Sequence, residues 1–262
     1  MNLNLTGKTA IVCGSTQGLG YASAVELALL GANIVLVARN EEKLAAVVKT
    51  LDTSKGQQHQ WLVADFSDPE HVKNVITAYI AQKNIAHILV NNTGGPAGGT
   101  ALNAGTDEFL QAFNSHLICN HVLVQALVPG MKAAGFGRII NIISTSVKQP
   151  IAGLGVSNTI RAAVANWAKT LATELGPFGI TVNNVLPGFT KTVRADYVIQ
   201  KKVADSGKTE AEVMKALVAE IPAGRIGNPE EFGAAVAFLC SPAAAYINGI
   251  NLPVDGGRLT CL

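Results

Sequence analysis

The chain has 262 residues, of which 48% are hydrophobic and 15% charged, and its formal net charge is +2. The apolar fraction is ample for a buried core, and no basic run exceeds Lys201-Lys202, so we expect no nucleic-acid partner. No stretch approaches the ~20 apolar residues that a membrane span needs, so we also expect no membrane partner.

The cysteines are scattered along the chain at Cys13, Cys119, Cys240 and Cys261, and no two form a CxxC pair. This spacing suggests neither a metal site nor a disulfide framework. Residues 1–7 are polar and lack the apolar centre of a secretory signal. We therefore expect a cytoplasmic protein with reduced thiols and no bound metal.

Short apolar runs typical of buried strands alternate with helical periods along almost the whole chain. The predicted strands are residues 9–13, 33–38, 61–64, 87–90, 138–143, 180–186 and 250–254. The predicted helices are residues 19–30, 41–51, 69–82, 106–132, about twenty residues centred on 161–175, and 229–239. Strict alternation predicts an α/β fold with one doubly wound, seven-stranded, mostly parallel sheet and helices on both faces. We expect a single domain over residues 1–262.

A glycine-rich segment, CGSTQGLG at residues 13–20, joins the first predicted strand to the first predicted helix. Gly14 permits a tight turn, Gly18 lets the backbone approach a pyrophosphate, and Gly20 lets the helix pack on the strand. The free N–H groups at the helix start favour an anion there. The alternative is a purely structural glycine turn, but the position at the start of a βαβ unit favours dinucleotide binding.

The spacing G-x-x-x-G-x-G resembles that of the short-chain dehydrogenase/reductase family, and the resemblance extends from Gly7 to Gly257. It implies a Rossmann fold. It also implies a cofactor site formed by Gly14, Ser15, Thr16, Gln17, Gly18, Leu19, Gly20, Arg39, Asp65, Phe66, Asn92, Gly94, Arg161, Pro187, Gly188, Phe189 and Thr192. Within this set the resemblance assigns Asp65 to the adenine and residues 187–189 with Thr192 to the nicotinamide amide, and it implies that Asn91 is structural.

The second predicted strand ends Val37-Ala38-Arg39-Asn40, with no carboxylate to bind a ribose 2′-hydroxyl or to repel a 2′-phosphate. Arg39 could instead hold that phosphate through its planar fork of donors. This favours NADP(H) over NAD(H). The alternative is a solvated arginine at the start of a polar helix.

The catalytic positions depart from the family pattern. The resemblance implies a Tyr and a Lys four residues apart, with a Ser thirteen residues before the Tyr. Here Ser144 matches the Ser, but Ser157 and Arg161 stand where Tyr and Lys are expected. A Ser hydroxyl is a much weaker acid than a phenol, and Arg does not deprotonate in proteins, so neither replaces the usual proton chemistry.

His116 stands where the family has an Asn that holds a proton-relay water. Because histidine ordinarily titrates near neutral pH, we hypothesise that His116 supplies the proton, directly or through water. The alternative is an ordinary helix histidine. His121 is a poorer candidate, and Tyr197 is a further substitute acid in a polar insertion, residues 192–222, that the resemblance implies is a substrate lid.

Three functions remain open at this point. The first is an NADP(H)-dependent oxidoreductase that reduces a carbonyl compound, resembling 3-oxoacyl-acyl-carrier-protein reductases, or oxidises a secondary alcohol. The second is a redox-inactive NADP(H)-binding protein that acts as a sensor or assembly partner. The third is a lyase, hydratase or isomerase that uses the same pocket. The family resemblance implies a small-molecule substrate and a homotetramer or homodimer.

Overall fold

The computed structural model describes residues 1–261, and its secondary structure alternates as predicted. The strands are β1 Thr9–Cys13, β2 Asn33–Ala38, β3 Gln60–Val63, β4 Ile88–Asn91, β5 Gly137–Ile142, β6 Ile180–Pro187 and β7 Asn251–Val254. The α-helices are α1 Gly18–Leu29, α2 Glu41–Val47, α3 Pro69–Ala81, α4 Thr106–Phe113, α5 Cys119–Ala133, α6 Gly155–Leu175, α7 Val193–Ser206, α8 Glu210–Ala219 and α9 Pro229–Cys240. The predicted elements have boundaries within a few residues of the observed ones, except in two places, and α7 and α8 lie in the polar insertion, residues 192–222, for which no helix bounds were predicted.

One exception is the long helix predicted over residues 106–132. It is interrupted by a π-helical turn, Asn114–Ile118, which separates α4 from α5. The other is the helix predicted over residues 41–51. Its α-helical part, α2, ends at Val47, and one turn of 3₁₀ helix follows at Val48–Thr50. A π-turn accommodates one extra residue per turn, and no residue type announces it in the sequence.

The seven strands form one parallel sheet in the order β3-β2-β1-β4-β5-β6-β7. The predicted Rossmann fold is therefore confirmed. The chain runs outward from β1 to β3 and then returns to place β4 on the other side of β1, so the direction of winding reverses between β1 and β4. In open α/β sheets, ligands bind beyond the carboxyl ends of the strands at such a reversal.

Both faces of the sheet are covered, which explains why the strands are apolar without alternation. Ile11 and Val35 contribute to a core on one face together with helices α3, α5 and α6. Val12 and Ile34 contribute to a core on the other face together with α1 and α9. Neighbouring strand residues thus enter opposite cores, and the two layers of helices position the strand ends between them.

Four asparagines form a hydrogen-bonded ladder across one half of the sheet. Asn91 donates to Asn141 (2.8 Å), Asn141 to Asn184 (3.0 Å), and Asn184 to Asn251 (2.8 Å), each pair being in register on adjacent strands. The expectation that Asn91 is structural is thus confirmed, because its side chain ties β4 to β5.

Residues 192–222 form the helix pair α7 and α8, which has a small apolar core of its own. Ile199, Val213 and Leu217 are buried there, with Phe189 packed against them. The caps Thr192 and Thr209 begin the two helices by accepting hydrogen bonds from backbone N–H groups. Across residues 1–261, no helix has both the length and the apolar character that crossing a bilayer requires.

Candidate functional site

A cleft of about 920 Å³ opens at the carboxyl ends of the strands. Its walls come from the segments that follow β1 to β6, together with the first turns of α7. The cleft therefore spans the reversal between β1 and β4, and its volume falls in the range of small-molecule and cofactor sites. All of the predicted cofactor residues line it except Ser15 and Gly20.

The glycine turn that forms one wall has the conformation that its sequence predicts. Gly14 and Gly18 have φ values of +56° and +59°, which residues with a side chain rarely adopt. A Cβ atom at Gly14 would also lie 2.7 Å from the backbone oxygen of Asn92, on the neighbouring strand end. Asn92 in turn donates from Nδ2 to the Gly14 carbonyl oxygen (3.1 Å), which holds the turn against β4.

Ser15 and Gly20 are the two predicted cofactor residues that lie outside the cleft lining. Ser15 is fully buried, and its Oγ accepts a hydrogen bond from the Val37 backbone N–H (3.0 Å), so it fastens the turn to β2. Gly20 packs in α1 directly against the Gly14 carbonyl, where a Cβ would collide. Both residues support the turn from behind.

The start of α1 presents its backbone donors to the cleft. Thr16, Gln17, Gly18 and Leu19 line the wall, and the N-cap residue Gln17 makes no side-chain hydrogen bond to the helix. The first N–H groups of the helix are therefore left for an anionic group, as a dinucleotide pyrophosphate requires.

A positively charged corner lies beyond β2, where Arg39 and Lys43 both line the cleft. Asp65, after β3, is the one carboxylate among the lining residues that the structure describes. Hydrogen bonding from the Ser67 backbone N–H, with smaller contributions from the Ser67 hydroxyl and the Arg39 charge, holds the pKa of Asp65 below its usual range. Lys43 was not predicted; its signal is its position one helical turn after Arg39.

Arg161, on α6, is the one predicted catalytic residue that lines the cleft. Its side chain is buried, with the residue 7% exposed, and Nη1 donates to the Ile142 carbonyl oxygen at the end of β5 (3.1 Å). Burial lowers the pKa of the guanidinium to about 10, so the group remains a cation at neutral pH. Within residues 1–261, no carboxylate oxygen lies within 4.0 Å of it.

His116 lies behind the cleft wall, in the π-helical turn, and is only 2% exposed. Burial, and then the positive charge of Arg161, lower the pKa of His116 to about 3. The pKa therefore lies well below the near-neutral value on which the proton-donor hypothesis was based, because a charged imidazole would be both desolvated and repelled at this position. The side chain is neutral at physiological pH.

Thr93 connects His116 to the cleft. Thr93 lines the wall, and its Oγ1 is hydrogen-bonded to Nδ1 of His116. Thr93 is not among the predicted site residues. Its contact with a residue 23 positions later depends on the π-turn, which no motif signals.

The two serines lie near the cleft but outside the residues that line it. Ser144 caps a 3₁₀ turn directly after β5, with its Oγ accepting from the Ser146 backbone N–H (3.0 Å). Ser157 is half-buried in the first turn of α6, one helical turn before Arg161. Both remain predicted site residues. Tyr197 of α7 does line the cleft, with the Arg194 guanidinium 5.3 Å from its ring centre.

Comparisons with known proteins agree with this geometry. The family model described as "Enoyl-(Acyl carrier protein) reductase" matches residues 14–258. The chain is 34% identical over 256 residues to the 3-oxoacyl-[acyl-carrier-protein] reductase FabG of Vibrio cholerae, covering 97% of this chain and 98% of the relative. It is 28% identical over 256 residues to the NADPH-dependent reductase BacG of Bacillus subtilis, covering 97% and 99%.

Among solved structures, L-sorbose reductase from Gluconobacter frateurii, complexed with NADPH and L-sorbose, superposes with a TM-score of 0.93. The two chains share 33% sequence identity, and the match covers 100% of both. The similarity thus includes every strand end that forms the cleft.

Proposed function

Since the chain belongs to the short-chain dehydrogenase/reductase family, we propose that it is an NADP(H)-dependent oxidoreductase that reduces a carbonyl compound or oxidises the corresponding secondary alcohol. The observation that carries the proposal is the cleft itself. It combines a glycine turn with open helix N–H groups at one point and the Arg39–Lys43 corner at another. Relatives whose names or titles include NADPH support the same cofactor.

The residues present fit NADP(H) by their chemistry. Gly14 lines the cleft and packs so closely against Asn92 that a Cβ atom would collide with it, so the turn can adopt this path only with glycine there, and its backbone faces the place of a pyrophosphate. Arg39 and Lys43 supply positive charge suited to a 2′-phosphate, and Asp65 and Phe66 line the wall next to them. When bound, NADPH supplies a hydride to the substrate carbonyl carbon.

We infer that Ser157 and Arg161 occupy the positions of the family's Tyr and Lys. Arg161 can bind ribose hydroxyls and can stabilise negative charge on a substrate oxygen. It cannot relay a proton, because it stays charged. Ser157 can donate a hydrogen bond but is a weak acid. Ser144 remains the proposed group that polarises the carbonyl.

The proton on the product oxygen then comes from water or from Tyr197, the phenol that lines the cleft; the Thr93 hydroxyl also lines it but is as weak an acid as Ser157. Neutral His116 is a positioning residue in this arrangement, because its Nδ1 holds the Thr93 hydroxyl in one orientation. Residues 192–222 are proposed as the substrate lid, because residues of α7 within this segment line the cleft. We further propose that residues 1–262 act as one cytoplasmic domain.

The experiment that tests the proposal is NADPH oxidation by the purified protein against a panel of carbonyl compounds that includes 3-oxoacyl thioesters. NADPH binding is measured separately by fluorescence. The matched variant is the double substitution Ser157→Tyr, Arg161→Lys, which restores the family's pair. Turnover by the natural protein would support the oxidoreductase.

A second candidate is an NADP(H)-binding protein without redox turnover. The weak acid at position 157 and the neutral His116 favour it, because neither can replace the family's Tyr as a proton donor; among the described residues, Tyr197 is the one phenol that lines the cleft. NADPH binding without turnover, together with activity gained by the double variant, would put this candidate first. Conversion of a substrate with no change in nicotinamide absorbance would instead indicate a lyase or isomerase.

A further inference from the structure

Two arginines from different helices reach consecutive residues of one loop at the cleft. A Cβ atom built on Gly95 would lie 3.9 Å from Nη2 of Arg161, which comes from α6. Arg194, at the start of α7, places its Nη2 3.4 Å from the Pro96 carbonyl oxygen. Both arginines line the cleft. Arg161 and Arg194 therefore lie beside the same loop, at the end of the cleft formed by α6 and α7, and we call them the cationic pair.

The loop that they reach is held in place by its own backbone. Gly99 donates its N–H to the Gly153 carbonyl oxygen (2.8 Å), and Gly155 donates to the Gly99 carbonyl oxygen (2.9 Å). The cationic pair thus lies beside a wall that is anchored to the start of α6. A ligand group bound there would meet donors in defined positions.

No carboxylate of the described residues lies close enough to balance the positive charge of Arg161. Its only hydrogen bond among residues 1–261 uses Nη1, although a guanidinium has five donors. No described carboxylate oxygen lies within 4.0 Å of Arg161 or Arg194. Asp65 lines the Arg39 corner and hydrogen-bonds there with Ser67.

The neighbours of Arg161 cannot provide that charge by ionising. Ser157, one turn away, is a hydroxyl far too weak in acidity, and His116 carries no negative charge in either protonation state. A buried cation without a counter-charge is unfavourable, whereas the same cation paired with a bidentate carboxylate is a strong contact. The balancing anion is therefore best supplied by a bound molecule.

We propose that the substrate is an oxo acid, or the corresponding hydroxy acid, whose carboxylate is bound by Arg161 with Arg194 as a second donor. This proposal rests on the proposed function of the cleft and specifies its substrate class. The phosphates of the cofactor are assigned there to the glycine turn and to Arg39, so they do not serve as the counter-ion of Arg161.

The test compares carboxylates with matched neutral esters. Pyruvate, 3-oxobutanoate and 4-oxopentanoate, and the methyl ester of each, are titrated calorimetrically into the protein with and without NADP⁺. The oxidised cofactor has no hydride to give, so binding is read without turnover. At least one acid should bind more tightly than its ester by about 30-fold or more, the lower range for loss of a buried charge pair.

Arg161→Met should remove the preference for the acid, and Arg161→Lys should retain part of it, because the charge remains but the planar fork is lost. Arg194→Gln should reduce the preference by a smaller factor, since this side chain is exposed. Arg258→Gln is the matched control, an arginine paired with Glu220 outside the cleft, and should leave the preference unchanged.

The melting temperature of each variant separates ligand binding from a structural role. The melting temperature of unliganded Arg161→Met should stay equal or rise, because an unpaired buried cation is removed. A drop, with the acid preference kept, would indicate a structural arginine and overturn the proposal. If Arg161→Met fails to fold, the proposal is still tested by the ratio of acid to ester affinity in the wild-type protein and by the same ratio in Arg194→Gln.

Equal binding of acids and esters, or no binding of any acid, would overturn the proposal. These results differ from failure of the proposed function. Turnover of neutral ketones without acid preference would leave the oxidoreductase standing and remove the oxo-acid assignment. Acid-selective binding without NADPH oxidation on any substrate would leave the carboxylate-binding site standing and remove the oxidoreductase.

Discussion

At the scale of single residues, we propose that the choice of cofactor depends on Arg39. Its position after β2 follows directly from the sequence, and the structure adds Lys43 beside it and Asp65 across from it. A guanidinium suits a 2′-phosphate but has no anion to bind in NAD(H), where the ribose carries a hydroxyl.

We expect Arg39→Gln to weaken NADPH binding by about 10-fold to 100-fold, the range for a charge-assisted hydrogen bond. NADH binding should change little. Fluorescence titration of both cofactors checks this, with Arg258→Gln as the control. Equal losses for the two cofactors would show that Arg39 does not contact a 2′-phosphate.

The stability of the fold should depend on pH through His116, because burial and the charge of Arg161 lower its pKa from 6.5 to about 3. Below pH 6.5 the unfolded chain binds a proton at this position and the folded chain does not. The folded state therefore loses stability as pH falls from 6.5 toward 3, by up to about 2 kcal/mol at pH 5.

His116→Asn removes this group and keeps a side chain of similar polarity. Urea unfolding of the variant should show a smaller loss of stability between pH 7 and pH 5 than that of the wild-type protein. Since other histidines are unchanged, the difference between the two proteins isolates His116. An identical pH dependence would mean that His116 gains its proton normally in the folded state.

At the scale of elements, the π-helical turn between α4 and α5 decides where His116 lies. If the extra residue were part of a continuous α-helix, every later side chain would be turned by roughly 100° about the helix axis. The π-helical turn absorbs this one residue and keeps the later side chains on their faces. The periodicity of residues 106–132 predicted helix correctly but could not reveal the bulge, since both forms bury similar apolar faces. The contact with Thr93 is a consequence of the bulge.

The asparagine ladder is the other feature at this scale, and it supports β4 and β5 where they enter the cleft. We expect Asn141→Ala to lower the free energy of unfolding by about 2–4 kcal/mol, because Asn91 and Asn184 each lose a partner inside the sheet. Urea unfolding measures the loss. Asn166→Ala, on the exposed face of α6, is the control and should change stability by less than about 0.5 kcal/mol.

At the scale of the whole molecule, the reversal of winding between β1 and β4 assembles the site. Segments that are far apart in the chain, such as residues 14–19, 92–95 and 187–190, meet in one cleft only because parallel strands end at one edge of the sheet. Helix α7 adds Arg194 and Tyr197 from further along the chain. The cationic pair is therefore a property of the assembled fold.

The sequence by itself determined the Rossmann fold, because strand and helix periods are local. It also located about half of the residues that line the cleft, because glycine turns and strand ends are local motifs. The tertiary structure decided which groups are charged and which are accessible. Ser15 faces inward, His116 is neutral, and Arg161 lacks a counter-charge because of neighbours distant in sequence. Burial and electrostatics depend on all surrounding elements at once, so no motif of a few residues encodes them.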